Sequence, residues 1–133
     1  MAESKPETVR RLFDRFEQGQ LDAALELLSD DFVAVIPPSL SAEPDTYEGH
    51  AGARRYFEAF EGLMEDVRYE VLELIEEGDV VIARVRVAGR GATSGIEVEQ
   101  FATALHWVTD GKVTRIEPHP DLDAARAALR ASG

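Results

Sequence analysis

The spacing of apolar residues changes near residue 67, and this change constrains the fold more than any other feature of the sequence. Before it, apolar residues recur at helical intervals, as in Val9, Leu12, Phe13 and Phe16. After it, they alternate with other residues at the period of a strand, as in Val81, Ala83, Val85 and Val87. The sequence therefore predicts an α+β domain in which N-terminal helices pack over one face of a curved antiparallel sheet.

Capping and turn signals place the first helices. Ser4 followed by Glu7, with Pro6 between them, is a capping box that begins a helix, and Gly19 ends it. A second helix is predicted in "LDAALELLSDDF", with an apolar stripe from Leu21 to Leu28. A short strand, "FVAVIPP", should end at two prolines, and the polar segment 39–49 should form a loop beside a site. A third helix is expected in "HAGARRYFEAFEGLM".

The second half of the sequence reads as strands joined by turns. Glu77-Gly78-Asp79 should join two strands into an antiparallel hairpin. A long strand is expected from about residue 96 to 108, and the turn "TDGK" should connect it to "VTRIEPH". Asp121 or Asp123 can cap a last helix.

The composition limits the domain count and the chemistry. A chain of 133 residues without repeats or linkers is expected to form one domain, residues 1–133. It has no cysteine, which excludes disulfides, thiolate nucleophiles and cysteine-bound metals. The net charge of −12 argues against nucleic acid as a partner. We expect no membrane association and a cytoplasmic location, because no long apolar run or secretory signal is visible.

Several segments together resemble the SnoaL-like polyketide cyclases and ketosteroid-isomerase-like proteins of the nuclear transport factor two-like superfamily. They are "FEQGQLDAALELLSDDFV", "YEGHAGARRYFEAF", "GRGATSGIEVEQF", "WVTDGKVTRI" and "PDLDAARAALRASG". The resemblance implies a cone-shaped domain that encloses a mostly apolar pocket, binds a small apolar molecule and pairs as a homodimer through the sheet. It implies no metal and no organic cofactor.

The resemblance also allows a check against ketosteroid isomerase, which uses an Asp base with a Tyr and a protonated Asp that hold an oxyanion. An alignment on "GQLDAALELLSDD" and "DGKV" puts these three roles at Leu12, Ile36 and Ala104. All three are apolar here, so that enolate chemistry is not expected.

The long strand has two possible pocket faces. The alignment and the small alanines favour one face, because small side chains leave volume unfilled; its residues are Gln100, Ala102, Ala104, His106 and Val108. The opposite face carries bulkier residues that suit a packed or dimeric contact. A slip of one residue would exchange the two faces.

His106 is the residue that could carry chemistry. In an apolar pocket it would be neutral, and it could act as a general base or orient a carbonyl. The alternative is a core histidine bonded to Gln100, Tyr56 or a backbone group. No orienting carboxylate is evident in the sequence.

Other residues are weaker candidates. Tyr47 could bind a ligand at the mouth of the cone or hold the loop in place, and Tyr56 could contact ligand or belong to the core. Ligand contacts are also predicted at the aligned or pocket-facing residues Leu12, Ile36, Val85, Gln100 and Ala104.

The remaining histidines and arginines suit structural roles. His119 near Asp121 suggests a catalytic pair, although Asp121 also suits a helix cap, and His50 should be exposed. Three histidines without ligand spacing argue against a metal. Arg84, Arg86 and Arg90 should point away from the pocket.

Two functions remain open from the sequence. One is a cofactor-free acid–base enzyme, such as a cyclase, isomerase or hydrolase, that uses His106 with Tyr47 or Gln100. The other is a non-catalytic ligand-binding or dimeric accessory domain.

Overall fold

A computed structural model describes residues 4–36, 45–61 and 64–132. The elements in chain order are α1 (Lys5–Glu17), α2 (Leu21–Leu25), β1 (Leu28–Ile36), β2 (Asp45–Glu48), α3 (Gly49–Glu61), β3 (Met64–Glu77), β4 (Val80–Gly91), β5 (Glu97–Thr109), β6 (Lys112–His119) and α4 (Leu122–Ser132). The predicted α+β class is confirmed, with helices first and most strands after them.

The six strands form one curved sheet that does not close, in the order β2-β1-β6-β5-β4-β3. Neighbouring strands run antiparallel except for β1 and β6, which are parallel. The curved sheet predicted as antiparallel thus has one parallel pair, β1 with β6. Because β1 and β6 are far apart in sequence, no turn residue between them could reveal their direction.

Several local predictions are confirmed. The Ser4 side chain accepts a hydrogen bond from the Glu7 amide at 3.3 Å and caps α1. Asp110 and Gly111 both have positive φ, as the turn between β5 and β6 requires. Asp121 caps α4 by accepting a hydrogen bond from the Ala124 amide at 2.8 Å.

The second helix is shorter than the sequence predicts. It ends at Leu25, and Leu28 belongs to β1 instead of a helical stripe. The Leu27 carbonyl accepts a hydrogen bond from the Val113 amide at 2.8 Å, and Lys112 binds the Glu26 carbonyl. These contacts from β6 satisfy backbone groups that a longer helix would have used.

The predicted loop at 39–49 contains the short strand β2, which pairs with β1 from Val33 to Ile36. The first part of that loop, and the two prolines predicted to end the preceding strand, lie outside the described residues.

The sheet separates two apolar cores. Paired residues of β4 and β5 lie on the same side, so Val81 and Ala83 share one face with His106 and Ala104. We call this the inner face; it packs against α1, α2 and α3. Ile82 and Leu105 lie on the opposite, outer face, where part of the surface is covered by α4.

Gly52 permits the close approach of α3 to β2. A Cβ atom at this position would lie 2.8 Å from the carbonyl carbon of Tyr47, which is closer than real contacts allow. The absence of a side chain at Gly52 thus allows α3 to lie this close to the Tyr47 backbone.

We predict that Gly52→Ala lowers the free energy of unfolding by about 1–3 kcal/mol, measured by denaturant unfolding. Glycine to alanine in a helix normally stabilises by about 0.5–1 kcal/mol, so the sign of the change is diagnostic. The control Ala51→Ser, on the exposed side of α3, should change stability by less than about 0.5 kcal/mol. A stabilised Gly52→Ala would contradict the tight packing.

Candidate functional site

His106 lies in the middle of β5 on the inner face and is almost completely buried. Its ring meets the ring of Phe13 from α1 edge to face, with 5.7 Å between ring centroids. Leu105 belongs to the outer core, and Trp107 packs against that core. Strand alternation therefore puts the imidazole under the N-terminal helices and the indole on the other side of the sheet.

Burial determines the charge of His106. Desolvation lowers the pKa of His106 to about 4, and hydrogen bonding to the Ala104 and Val81 backbone only partly opposes this effect. The ring is therefore neutral at pH 7. Nδ1 lies 3.2 Å from the Ala104 carbonyl oxygen. That contact favours a hydrogen on Nδ1, which leaves the lone pair of the neutral ring on Nε2.

A chain of ring contacts runs from His106 across the interior. Its six members, which we call the aromatic arc, are Phe13, Phe16, Tyr47, Tyr56, Phe57 and Tyr69. Centroid distances between successive rings range from 4.1 Å for Phe16 and Phe57 to 6.2 Å for Phe16 and Tyr69. Residues from α1, β2, α3 and β3 contribute, so the arc joins the helices to the inner face.

The two tyrosines predicted as ligand contacts lie at the α3 end of the arc. Their ring centroids are 5.4 Å apart, and the guanidinium of Arg55 stacks over the Tyr47 ring at 5.0 Å. Burial raises the pKa of Tyr56 to about 12, with Tyr47 as a smaller cause. Tyr56 therefore keeps its proton at neutral pH and offers a hydroxyl, not a phenolate.

The other residues predicted as ligand contacts differ in burial and in their place on the sheet. Leu12 is fully buried in the inner core, and Ala104 packs partly buried against it. Val85 is buried, and the strand register puts it on the inner face opposite Ala102. Ile36 is half-buried at the end of β1, beside β2. These placements leave the predicted ligand contacts untested.

Gln100 is exposed, although its register opposite Val87 puts it on the inner face. Of the partners considered for a core histidine, which were Gln100, Tyr56 or a backbone group, His106 binds a backbone group, the Ala104 carbonyl. His106 and Ala104 thus both lie in the interior of the inner face, whereas Gln100 on the same face is exposed to solvent.

Tyr69, Phe13 and Phe57 were not predicted from the sequence as site residues. Tyr69 pairs with Val87 in the register of β3 and β4, and its ring lies 5.9 Å from that of Phe13. Alternation in the segment "VRYEVLEL" was the available signal, but it did not identify the inward face.

His119 does not form the suggested pair with Asp121. Its Nε2 atom lies 2.9 Å from Oε1 of Glu117, whose other oxygen accepts a hydrogen bond from Arg115 at 2.9 Å. Asp121 caps α4 instead, because its side chain precedes the helix by one residue. His119 and Thr103 are paired on the outer face, away from His106.

His50 is half-buried, not exposed as predicted, because its Nε2 atom lies 3.0 Å from the Leu28 carbonyl oxygen. Arg84 and Arg86 lie on the outer face and pair with Glu73 and Glu99, as expected for residues that point away from the interior. Arg90 binds Asp66.

An open cleft of about 650 Å³ lies where β3 begins, beside the last turn of α1. Its lining is charged and includes Glu17, Asp66, Arg68 and Arg90. Glu17 also accepts a hydrogen bond from the Tyr69 amide at 3.1 Å, which ties α1 to the β3 edge. The cleft therefore borders the part of the sheet that carries the arc residue Tyr69.

Within residues 4–36, 45–61 and 64–132, no group of three or more His, Asp or Glu side chains could hold a metal ion. No helix in these ranges is both long and apolar enough to cross a membrane.

The buried imidazole makes a pH-dependent prediction. Because the pKa of His106 is about 4 in the folded chain and that of an unperturbed histidine is 6.5, the unfolded chain binds the extra proton first on acidification. The stability contribution is complete above pH 6.5 and is lost as the pH falls to 4. Relative to His106→Gln, the wild-type chain should lose up to about 3 kcal/mol over this window in denaturant unfolding.

Titration of the His106 ring by NMR provides the control for that measurement. Parallel pH profiles for the two proteins, together with a His106 pKa near the unperturbed value of 6.5, would show that the ring is not held in a desolvated place.

Comparison with known proteins identifies the fold and the family. TerC, co-crystallised with polyporic acid, is 21% identical with a TM-score of 0.74, and each chain is covered to 94%. A Jannaschia sp. CCS1 protein named as a SnoaL-like polyketide cyclase is 23% identical, with a TM-score of 0.75 and 98% coverage of each chain. A Catenulispora acidiphila DSM 44928 protein with a ketosteroid isomerase-like fold, in complex with trimethylamine, is 15% identical. Its TM-score is 0.75, with 93% of this chain and 92% of that chain covered.

No curated protein matches the sequence significantly. The family model described as a SnoaL-like domain matches residues 9–116, which is most of the chain. The resemblance seen in the sequence is thereby confirmed, and the protein belongs to the SnoaL-like domain family.

Proposed function

We propose that this protein binds a small, mostly apolar molecule between the inner face of the sheet and the N-terminal helices. The observation that carries the proposal is the neutral His106 at one end of the aromatic arc. Aromatic rings offer a large apolar surface with preferred stacking geometries. A site with one polar group among apolar side chains can orient a ligand through a hydrogen bond to that group.

A polar group of the ligand would form a hydrogen bond with Nε2 of His106. With the hydrogen on Nδ1 directed to Ala104, Nε2 accepts a hydrogen bond from a hydroxyl or an enol of the ligand. The hydroxyl of Tyr56, which burial keeps protonated, can donate to a carbonyl at the other end of the arc. The preferred ligand is therefore a ring system with a hydroxyl and a carbonyl.

The similar structures support small-molecule binding in this fold. TerC was co-crystallised with polyporic acid, and a ketosteroid isomerase-like relative was crystallised with trimethylamine. Both are distant in sequence, so they support small-molecule binding in this fold and do not identify the ligand of this chain.

Binding without turnover is favoured over acid–base catalysis. A base whose conjugate acid has a pKa of about 4 gains little by taking a proton at neutral pH. His106 donates its hydrogen bond to a backbone carbonyl, not to a carboxylate that would stabilise an imidazolium.

The enzymatic alternative uses the same residue. In a cofactor-free cyclase, isomerase or hydrolase, Nε2 of His106 would accept a substrate proton, and Tyr47 or Gln100 would orient the substrate. Its supporting observation is that the ring is shielded from water beside Phe13, where a hydrogen bond to a substrate would be strong.

We predict that polyporic acid binds the protein and that Phe13→Ala weakens its affinity by about tenfold in isothermal titration calorimetry. Removal of this ring takes away a stacking partner and an edge contact to His106. The matched control is Ile96→Ser, an exposed residue remote from the arc, which should leave the affinity unchanged. Equal weakening in both variants would indicate nonspecific apolar binding.

A second prediction separates binding from catalysis. His106→Leu keeps the apolar volume but removes the hydrogen bond, so affinity for a hydroxylated ligand should fall about fivefold to tenfold. Ligand incubated with the wild-type protein should be recovered unchanged by mass spectrometry. If the wild-type protein converts the ligand, and His106→Leu abolishes this turnover but still binds the ligand with similar affinity, the enzymatic function would be favoured instead.

A further inference from the structure

A side-chain hydrogen bond joins the last turn of α1 to the edge of the sheet. In the described part of the chain, β3 is the last strand on its side, so amides on its free side have no neighbouring strand to bind. The Tyr69 amide donates instead to Oε2 of Glu17 at 3.1 Å. Glu17 is the last residue of α1 and is exposed. A carboxylate at the surface thus closes the contact between α1 and β3.

The residues behind this bond belong to the aromatic arc. The Tyr69 ring lies 5.9 Å from the Phe13 ring and 6.2 Å from the Phe16 ring, measured between centroids. Phe13 in turn contacts the His106 ring at 5.7 Å. Phe13 and Tyr69 are half-buried, whereas His106 is almost completely buried. The rings of Phe13 and Tyr69 therefore lie between solvent and the imidazole.

Two open clefts meet at this contact. The cleft of about 650 Å³ where β3 begins and a second cleft of about 370 Å³ both include Glu17 and Arg68 in their lining. Tyr69 lines the second cleft. Volumes of this size are typical of sites that hold small molecules. A ligand can therefore reach the bond between Glu17 and Tyr69 from outside the fold.

The bond is easily broken. A carboxylate at the C-terminus of a helix lies at the negative end of the helix dipole, which disfavours it there. Because Glu17 is exposed, water also competes for its oxygens. On the other side of the interior, α3 lies so close to β2 that a Cβ atom at Gly52 would be 2.8 Å from the carbonyl carbon of Tyr47. Separation of α1 from β3 is thus the easier opening of these two.

We infer that the ligand of the inner face enters between α1 and β3, and that Glu17 is a positioning residue that holds this entrance closed. The inference rests on the proposed function, because it assigns a route to the same site. While the bond is formed, Phe13 and Tyr69 stay in contact and cover His106. When it breaks, the two rings can separate and admit the ligand. Glu17 binds the backbone and not the ligand, so it acts on the rates of entry and exit more than on affinity.

Amide hydrogen exchange, measured by NMR without ligand, tests the bond. Glu17→Ala should accelerate exchange at Tyr69 by about fivefold to tenfold, because the amide loses its acceptor. The conservative variant Glu17→Gln keeps a side-chain carbonyl and should restore most of the protection. Glu97→Ala removes the same charge from the lining of the larger cleft and should leave exchange at Tyr69 unchanged. Equal exchange in Glu17→Ala and the wild-type protein would overturn the inference.

Stopped-flow kinetics with polyporic acid, followed by tyrosine fluorescence, test the route. Glu17→Ala should raise both the association and the dissociation rate constants by about threefold or more, and change the dissociation constant by less than about twofold. Weaker binding without faster association would show that Glu17 only stabilises the fold, and would overturn the inference. If the wild-type protein does not bind polyporic acid, the proposed function fails and the route with it, whereas exchange at Tyr69 still decides whether Glu17 holds α1 to β3.

Discussion

The pairing register of β4 with β5 determines which side chains lie on each face of the sheet. Val81 opposite His106 and Ile82 opposite Leu105 direct successive side chains to opposite faces. A shift of one residue would put the imidazole under α4 and the bulky outer residues under α1. Such a shift is costly because both faces bury apolar side chains, in two separate cores.

The register also explains why one protein can present two unlike surfaces. The inner face carries small residues such as Ala83 and Ala104, and the helices close over them with aromatic rings. The outer face carries arginines and glutamates around Phe101, and α4 covers only part of it. Ligand binding is therefore proposed on the inner side, where the helices and the sheet bring the aromatic rings together.

Much of the fold could be predicted because its signals are local. The cap at Ser4, the turn at Asp110 and Gly111 and the alternation that leads to His106 each depend on a few neighbouring residues. The end of α2, the strand β2 and the parallel pairing of β1 with β6 depend on contacts between distant segments. No periodicity in the sequence encodes those contacts.

The candidate site was predicted less completely than the fold. Alternation gave the face of His106 and Ala104, but it could not show that Gln100 on the same face is exposed. Tyr69 was missed because its contacts with Phe13 and Phe16 join β3 to α1, which are distant in the sequence. His119 lies near Asp121 in sequence yet binds Glu117, since residues two apart on a strand share a face.

The proposed function requires the ligand to lie against the inner face, and intermolecular nuclear Overhauser effects can detect this contact. We expect effects from a bound hydroxylated aromatic ligand to the Ala104 methyl group and to the ring protons of His106. We expect none to the indole of Trp107, the single tryptophan of the chain, which packs against the outer core. Effects to Trp107 without effects to His106 would show that the ligand does not lie on the inner face.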